Sequence, residues 1–579
     1  MTNRWFRSDA RRLEAAGLLA LFVLALSLRI WGIDHGLPYG QIPDESGDIG
    51  RSLKIVVGQL PEYAYHRVGW PIAQIPLHGL HFLARWLTQT GFTLDQFQAQ
   101  YYVARDDFVL LTRVYLALLM ALVPLFVYNI GKRIADDWRG GALAGVLMAV
   151  HPTHVYLSHV ALPDGFATLW VAVALWAALI VAQRGSRWAY FVGGGAAALA
   201  MLARLQTLMI VMPLLIAHLW VWPAAGKRSL AIRWLWAAAG FTVLSVLFNP
   251  YILVTPAAVI ADIQFIFGQR YTGGSNARSN IQQLSVFASS MRNAELPWTF
   301  VRPYFFVAAT LGSGWALYKR SLLALIVAAF GAVFTLSILP AVAPRISFWL
   351  PATIPACILT GYGLHGLWRE QRGRATMIPV LLVVAVVVAA LFETVTLNRV
   401  LAVPSTQALA YEYITTHIPA DTALMQGDGF IYSVPLARNL ASIGRLKVFG
   451  ALPPAFSFFN KYPALNRKPA YDVYGPEHAS EIASDADMRA FLRTNLIDFI
   501  IEADYCGGDS NYDHASGQTF PVLASGVRAE LRLEASFSPF GSDECKQSIE
   551  NRTHMEYMRL LDWERIGPIT RIYRVLLPD

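Results

Sequence analysis

Apolar runs of roughly 20 residues, the length a helix needs to cross a bilayer, alternate with short polar connections over the first 400 positions. Backbone polar groups have no water partner in lipid, so each run is predicted to be a helix. Eleven such runs are present. The first extends from about Glu14 to Gly32. The others start near Phe108, Arg139, Pro163, Trp188, Thr207, Trp234, Phe300, Ser321, Ser347 and Met377, each ending roughly 17 to 22 residues later. Arg4, Arg7, Arg11 and Arg12 precede the first run like the basic region of a signal peptide, but no small-residue cleavage site follows, and an uncleaved helix is predicted.

After about Leu397 the pattern becomes polar and turn-rich. A helix is predicted from Ser405 to His417, a strand from Thr422 to Gln426, and a second helix from Ser484 to Asn495, where Ser484 and Asp487 have capping-box spacing. Strand-like runs follow at Ile497 to Ile501, Leu531 to Phe537 and Ile569 to Leu576. The fold class is therefore a polytopic α-helical membrane protein of about 11 transmembrane helices with a C-terminal soluble α/β or α+β domain. Residues 1–400 form the membrane domain, with long exported loops at 34–107 and 255–299, and residues 401–579 form the exported domain.

Composition agrees: 55% of the 579 residues are hydrophobic and 15% charged, with mean hydropathy +0.41, too apolar for a soluble protein of this length. Charge orients the helices. Basic clusters occur at Arg4 to Arg12, at Lys132, Arg133 and Arg139, at Arg184 and Arg187, at Lys227, Arg228 and Arg233, at Lys319 and Arg320, and at Arg369, Arg372 and Arg374. With eleven crossings every cluster falls on the side of the N-terminus, which the positive-inside rule makes cytoplasmic. The C-terminal domain is then periplasmic or extracellular, as for a bacterial cytoplasmic (inner) membrane protein. The net charge of +8 is largely topological, and no basic block with interleaved aromatics points to nucleic acid.

Of the three cysteines, Cys357 lies within a span, whereas Cys506 and Cys545 share the exported domain, where an oxidising compartment permits a disulfide between them. Asp504, Asp509, Asp513 and His514 match no metal-ligand spacing and read as a solvated loop. The run Ile72 to Leu87, interrupted by His78, His81 and Arg85, reads as a helix lying in the interface plane. The second long loop carries Gly268-Gln-Arg-Tyr-Thr-Gly-Gly274, a mobile segment beside a site, with Arg270 and Tyr271 as candidate substrate contacts, and a helix from Asn280 to Asn293.

Ionisable residues gather toward one face. Asp44 and Glu45 stand in Pro43-Asp44-Glu45 about a dozen residues beyond the first span. Asp164 opens the fourth span, Arg204 separates the fifth from the sixth, and Arg345 enters the tenth. Charges at membrane depth are costly unless paired or in a wet cavity, so their convergence in one outer cavity is a functional expectation. The plain alternatives are that Asp44 and Asp164 cap helices and that Arg204 and Arg345 snorkel to the interface.

These features resemble the C-type (GT-C fold) membrane glycosyltransferases, in particular the branch of the protein O-mannosyltransferases and the lipid A aminoarabinose transferase. The resemblance rests on Pro43-Asp44-Glu45, on His151-Pro152 through Ser158 to Pro163-Asp164, on Arg345 with Pro351 and Pro355, and on the C-terminal "GPITRIYRV". The chain departs from the pattern at Ile346, where an aromatic is common, in the position of Pro351, and in "YAYHRVGWPIAQ", where relatives carry a Lys before paired prolines. The resemblance implies inverting transfer of a sugar from a polyprenyl-phosphate donor to an acceptor hydroxyl of a glycan, lipid or protein at the outer face. The attacking oxygen must lose a proton, which Asp44 can receive, and the phosphate leaving group needs cations, for which Arg204, Arg345, Arg67 and His66 are candidates. Glu45 and Asp164 would orient the acceptor, the sugar or the arginines. The two carboxylate sites leave a bound divalent cation open, as in some C-type enzymes. A monophosphate leaving group carries less charge than a pyrophosphate, however, and arginines can neutralise it, so no metal or other cofactor is expected in the catalytic step. The lipid tail is expected between the later spans, near Phe241, Leu244 and Phe248.

A transporter or flippase would use the same residues to relay protons or bind an anionic lipid, but no internal repeat is evident and the charges sit at one face. A polysaccharide ligase would leave Pro43-Asp44-Glu45 without a role, and eleven spans are excessive for a membrane-anchored interaction protein.

Overall fold

The computed structural model describes residues 2–37, 43–59, 67–103, 105–225, 227–272, 301–341, 346–370, 377–426, 434–448, 468–475, 482, 484–504, 506, 527, 530–546 and 562–576. Contacts divide the chain into two units, one of residues 1–31, 51–78 and 112–395 and the other of residues 32–50, 79–111 and 396–579.

Helices dominate up to residue 401. They are α1 (Thr2–Ile30), α2 (Pro43–Val56), α3 (Gly69–Ala73), α4 (Ile75–Thr88), α5 (Leu94–Val103), α6 (Asp106–Ala135), α7 (Trp138–Ala149), α8 (Pro152–Ser158), α9 (Pro163–Arg184) and α10 (Arg187–Ala203). A 3₁₀ turn (Leu205–Ile210) leads to α11 (Val211–Ala225), α12 (Lys227–Phe248), α13 (Tyr251–Val254), α14 (Pro256–Thr272), α15 (Pro303–Tyr318) and α16 (Leu322–Ile338). A second 3₁₀ turn (Ile346–Ala352) precedes α17 (Thr353–Glu370) and α18 (Met377–Leu401).

Each of the eleven predicted runs contains a helix. Five segments among the described residues are long and apolar enough to cross a membrane on that basis alone: Arg12–Ile30, Asp106–Ala135, Pro163–Arg184, Ala231–Phe248 and Met377–His417. Leu205–Val221, Pro256–Ile266 and Leu322–Ile338 are shorter apolar stretches. The run starting near Arg139 is two helices, α7 and α8. The break falls at His151, in extended backbone before Pro152 because a residue preceding proline disfavours the helical region. Gly268 to Tyr271 is also helical, within α14, because the apolar run before it continues the helix past the expected loop start.

Terminal charges follow the helix dipole. Asp106 and Asp107 open α6 and Lys132 and Arg133 close it, while Asp164 opens α9 and Arg184 closes it. Gly185, at φ 58°, ends α9 as a left-handed C-cap. Where α10 meets α12, a Cβ on Gly194 would run into the Ala237 carbonyl and one on Gly240 into that of Phe191. The small residues let the two backbones touch, the usual way membrane helices pack. Leu244 packs on Gly195 there, as part of that helix contact.

The second unit contains a six-stranded sheet of β1 (Ala423–Gln426), β2 (Ala437–Arg438), β3 (Ala470–Tyr474), β4 (Phe499–Asp504), β5 (Leu531–Phe537) and β6 (Ile569–Val575), in the order β2-β3-β1-β4-β6-β5. The four strands from β2 to β4 pair in parallel, and β6 joins β4 and β5 antiparallel. Alternating side chains build two cores. Leu424 and Ile501 pack with Ala410 and Ile414 of α19 (Thr406–His417), whereas Met425 and Ile500 pack with Phe491 and Leu492 of the helix Asp485–Thr494. With Leu440–Val448 linking β2 to β3 as a helix, this is an α/β arrangement. Ser405 caps α19 by accepting from the Ala408 amide, and Ser484 caps its helix by accepting from that of Asp487.

Cys506 and Cys545 are joined in a disulfide, with Cα atoms 5.4 Å apart. Closing a loop of 39 residues restricts the unfolded chain, so Cys506→Ser should lower the stability of this unit by about 3–4 kcal/mol. Urea unfolding followed by the near-UV signal of the sheet, for the variant and for dithiothreitol-treated wild type, measures this. The Asp504 carboxylate lies within 4.8 Å of both sulfurs. Those sulfurs are consumed by the disulfide and the carboxylate accepts from Arg571 at 2.9 Å, so this cluster does not fit a metal. Asp509, Asp513 and His514 lie outside the described residues.

Candidate active site

Proline lacks an N–H and has a fixed φ, which suits it to the first position of a helix, and both motif aspartates follow one. Pro43 opens α2 and Pro163 opens α9, so Asp44 and Asp164 sit one residue inside their helices. The cap position of α9 is Leu162, whose side chain caps nothing. Capping therefore does not account for Asp164.

Asp164 is 2% exposed and forms an ion pair with the Nη2 of Arg204. Arg204 follows the last residue of α10 in extended backbone, φ −148° and ψ 112°, and its carbonyl accepts from the Thr207 hydroxyl at 2.7 Å. Its guanidinium stands 5.3 Å from the Phe348 ring centroid. The Arg204 side chain is 9% exposed and paired, so it does not snorkel. A charge buried this deeply is retained only with a partner. The Thr168 hydroxyl donates to the Asp164 carbonyl at 2.7 Å, and Gly165 lets α9 approach Leu116 and Met120 of α6.

Trp70, fully buried, ties the turn before Asp164 in place: its indole N–H donates to the Ala161 carbonyl at 3.1 Å. Its ring lies parallel to Tyr115, with centroids 6.1 Å apart, and 5.4 Å from Phe166. The preceding Gly69 abuts Leu202, near the end of α10 that carries Arg204. Arg67 lies half-buried in the turn entering α3. Trp70→Phe removes the donor and shrinks a fully buried ring, and should destabilise the protein by about 1–3 kcal/mol in a thermal melt in detergent.

On α2, Asp44 is half-buried and Glu45 is 1% exposed. Asp48, fully buried, lies four residues after Asp44 and three after Glu45, so the three carboxylates share one turn of helix surface. The Tyr101 hydroxyl donates to the Ser46 carbonyl, and Gly50 leaves room for the same tyrosine. Tyr101 belongs to an aromatic group with Phe97, Phe108 and His81, whose centroids lie 4.9 to 5.5 Å from those of their neighbours. Burial, then the charge of Arg85, holds the His81 imidazole below its ordinary value against the opposing pull of Asp107, leaving it neutral at pH 7. On α4, Leu80, Leu83, Trp86 and Leu87 are exposed, as for a helix lying in an interface.

The His151–Ser158 stretch is anchored by Arg29, fully buried in α1. Its guanidinium donates to the carbonyls of Ala25 at 2.6 Å and Ala149 at 3.2 Å and reaches His154 Nδ1 at 2.7 Å. A guanidinium only donates, so Nδ1 accepts and the His154 proton sits on Nε2. A second pair, part-buried, joins the buried Arg302 to Glu393 of α18, at 2.7 Å from Nε. Arg29, Asp48, Trp70, Arg302 and Glu393 are absent from the sequence-derived site.

The structure thus brings Asp164 and Arg204 together and places Asp44 and Glu45 on one helical turn. His66 and Arg345 lie outside the described residues, and Arg270 and Tyr271 are described only as backbone of α14.

Residues 106–253, about a quarter of the chain, match the model of the family described as dolichyl-phosphate-mannose-protein mannosyltransferase. That match, over the segment holding His151-Pro152, Pro163-Asp164 and Arg204, agrees with the motif resemblance and marks a glycosyltransferase of the class that uses a polyprenyl-phosphate-linked sugar. Among solved structures, ArnT from Cupriavidus metallidurans bound to undecaprenyl phosphate is similar at 14% identity, with 88% of this chain and 95% of that one covered and a TM-score of 0.43. The archaeal oligosaccharyltransferase AglB from Archaeoglobus fulgidus, in complex with an inhibitory peptide and a dolichol-phosphate, is similar at 9% identity, with 92% and 74% covered and a TM-score of 0.45. A sequence search of curated proteins gives no match.

Proposed function

We propose that the protein transfers a sugar, with inversion, from a polyprenyl-phosphate donor to an acceptor hydroxyl on the outer face of the bacterial cytoplasmic membrane. In this reading the chain crosses the membrane eleven times, residues 1–400 form the membrane domain, and residues 401–579 lie in the periplasm. The observation that carries it is Pro43-Asp44-Glu45 as the first turn of α2, with Asp44 half-buried beside a buried Glu45. A base needs access to the acceptor proton, and of these two carboxylates Asp44 is the more accessible.

Asp44 removes the acceptor proton as its oxygen attacks the anomeric carbon and the C–O bond to phosphate breaks. Arg204, oriented by Asp164, and Arg345 stabilise the phosphomonoester that leaves; a guanidinium matches phosphate through its planar donor fork. Arg67, His66, Arg270 and Tyr271 contact the donor, and Glu45 fixes the start of α2. No metal enters the catalytic step: EDTA should leave turnover unchanged, and loss of turnover restored by Mg²⁺ or Mn²⁺ would contradict this. Purified protein incubated with a panel of polyprenyl-phosphate sugars and candidate glycan, lipid and protein acceptors should release polyprenyl phosphate with at least one pair. Movement of a labelled lipid across proteoliposomes without release would instead favour a flippase.

A further inference from the structure

At the end of α9 opposite Asp164, about 30 Å away along the helix, lies a cavity of about 1230 Å³ between α1, α6, α7 and α9. One wall is apolar, formed by residues such as Leu13, Leu18, Leu21 and Val146. Leu13 is itself 74% exposed, and Gly17 beside it is also exposed, so the cavity is open along this face of α1.

The other wall is polar, with three basic side chains (Lys132, Arg133, Arg184) and three acidic ones (Glu14, Asp136, Asp137) that are unevenly placed. The Glu14 carboxylate accepts from Tyr128 at 2.9 Å and pairs with Lys132 at 2.5 Å, which neutralises it. Asp137 is engaged as the cap of α7, accepting from the Arg139 amide. Asp136 sits exposed in the left-handed turn at the rim. Arg133, by contrast, donates from Nη1 to the neutral amide oxygen of Gln183 at 2.8 Å, and its buried Nε has no partner among the described residues. Arg184 lines the same cavity. Two guanidiniums beside an apolar wall are a receptor for a phosphate joined to acyl chains.

We propose that this cavity binds one anionic diacyl phospholipid, with its phosphate between Arg133 and Arg184 and an acyl chain along α1. The basic-cluster topology puts it in the cytoplasmic leaflet, apart from the residues assigned to transfer.

Gly17 offers a clean probe, because it lines the cavity and a Cβ there meets no atom within 4 Å. Gly17→Leu fills the acyl wall and improves helix propensity, so its lipid-free melting temperature should equal or exceed that of wild type. The full-length protein in neutral detergent is titrated with phosphatidylglycerol, with phosphatidylcholine of the same chains, and with inorganic phosphate, reading the melting temperature. Phosphatidylglycerol alone should raise it saturably. Arg133→Gln should weaken the apparent affinity about tenfold or more, and Gly17→Leu should abolish the shift. Equal shifts with phosphatidylcholine, a shift with inorganic phosphate alone, or an unchanged phosphatidylglycerol response in both variants would each overturn the proposal.

Discussion

Asp44→Asn should reduce kcat by about 100- to 10,000-fold, the usual contribution of a positioned general base. The amide keeps the size of the carboxylate and cannot take up the proton, so substrate binding should persist and KM should change little. Folding should also persist. Asp44 is half-buried in the first turn of α2, where removing its charge forfeits a helix-dipole interaction of about 0.3–1 kcal/mol. Glu45→Gln makes the contrast, because Glu45 is buried beside Asp48 and its loss should register in the melting temperature before it registers in kcat. Steady-state kinetics and melts of both variants separate the roles. A kcat effect larger for Glu45→Gln than for Asp44→Asn would reverse the assignment.

Asp164→Ala should destabilise the protein by about 3–5 kcal/mol, because it removes the buried carboxylate that pairs with the Arg204 guanidinium. Arg204→Ala should do the same to Asp164. The double variant Asp164→Ala/Arg204→Ala should cost much less than the sum of the two, since it removes both charges together. Denaturant unfolding in detergent micelles for all four proteins closes the cycle, and additive effects would show that the pair is not coupled. In activity the cycle should differ: under the proposed function Asp164→Ala leaves Arg204 misoriented and the other two variants lack it, so the double variant recovers stability and not turnover.

The apolar helices were legible because a run of about 20 apolar residues is written in consecutive positions, and that signal is local. The helix from Thr406, the strand from Ala423 and the Ser484 cap were legible for the same reason: a cap, an alternation and a turn are written in neighbouring residues. The pairing of Asp164 with Arg204 could be anticipated only in part, from charges placed at helix ends. What escaped was non-local. Arg29 reads as an ordinary basic residue at the end of a span, yet it holds the carbonyls that end α7 and the ring of His154, about 120 positions away. Trp70 reads as one more aromatic in an apolar loop, but its N–H secures the turn before Asp164. Glu393 looks out of place in an apolar span until Arg302 is beside it. Asp48 alone carried a usable signal: its spacing from Asp44 and Glu45 puts all three on one helical turn.

The most direct measure of the account is the stereochemistry of the transferred sugar. Single displacement with Asp44 as base inverts the anomeric carbon, whereas a covalent sugar on a carboxylate followed by a second displacement retains it. Proton NMR coupling at the anomeric position, compared between donor and product after one turnover by the wild-type protein, should show inversion. A product with the donor's configuration would contradict the role of Asp44.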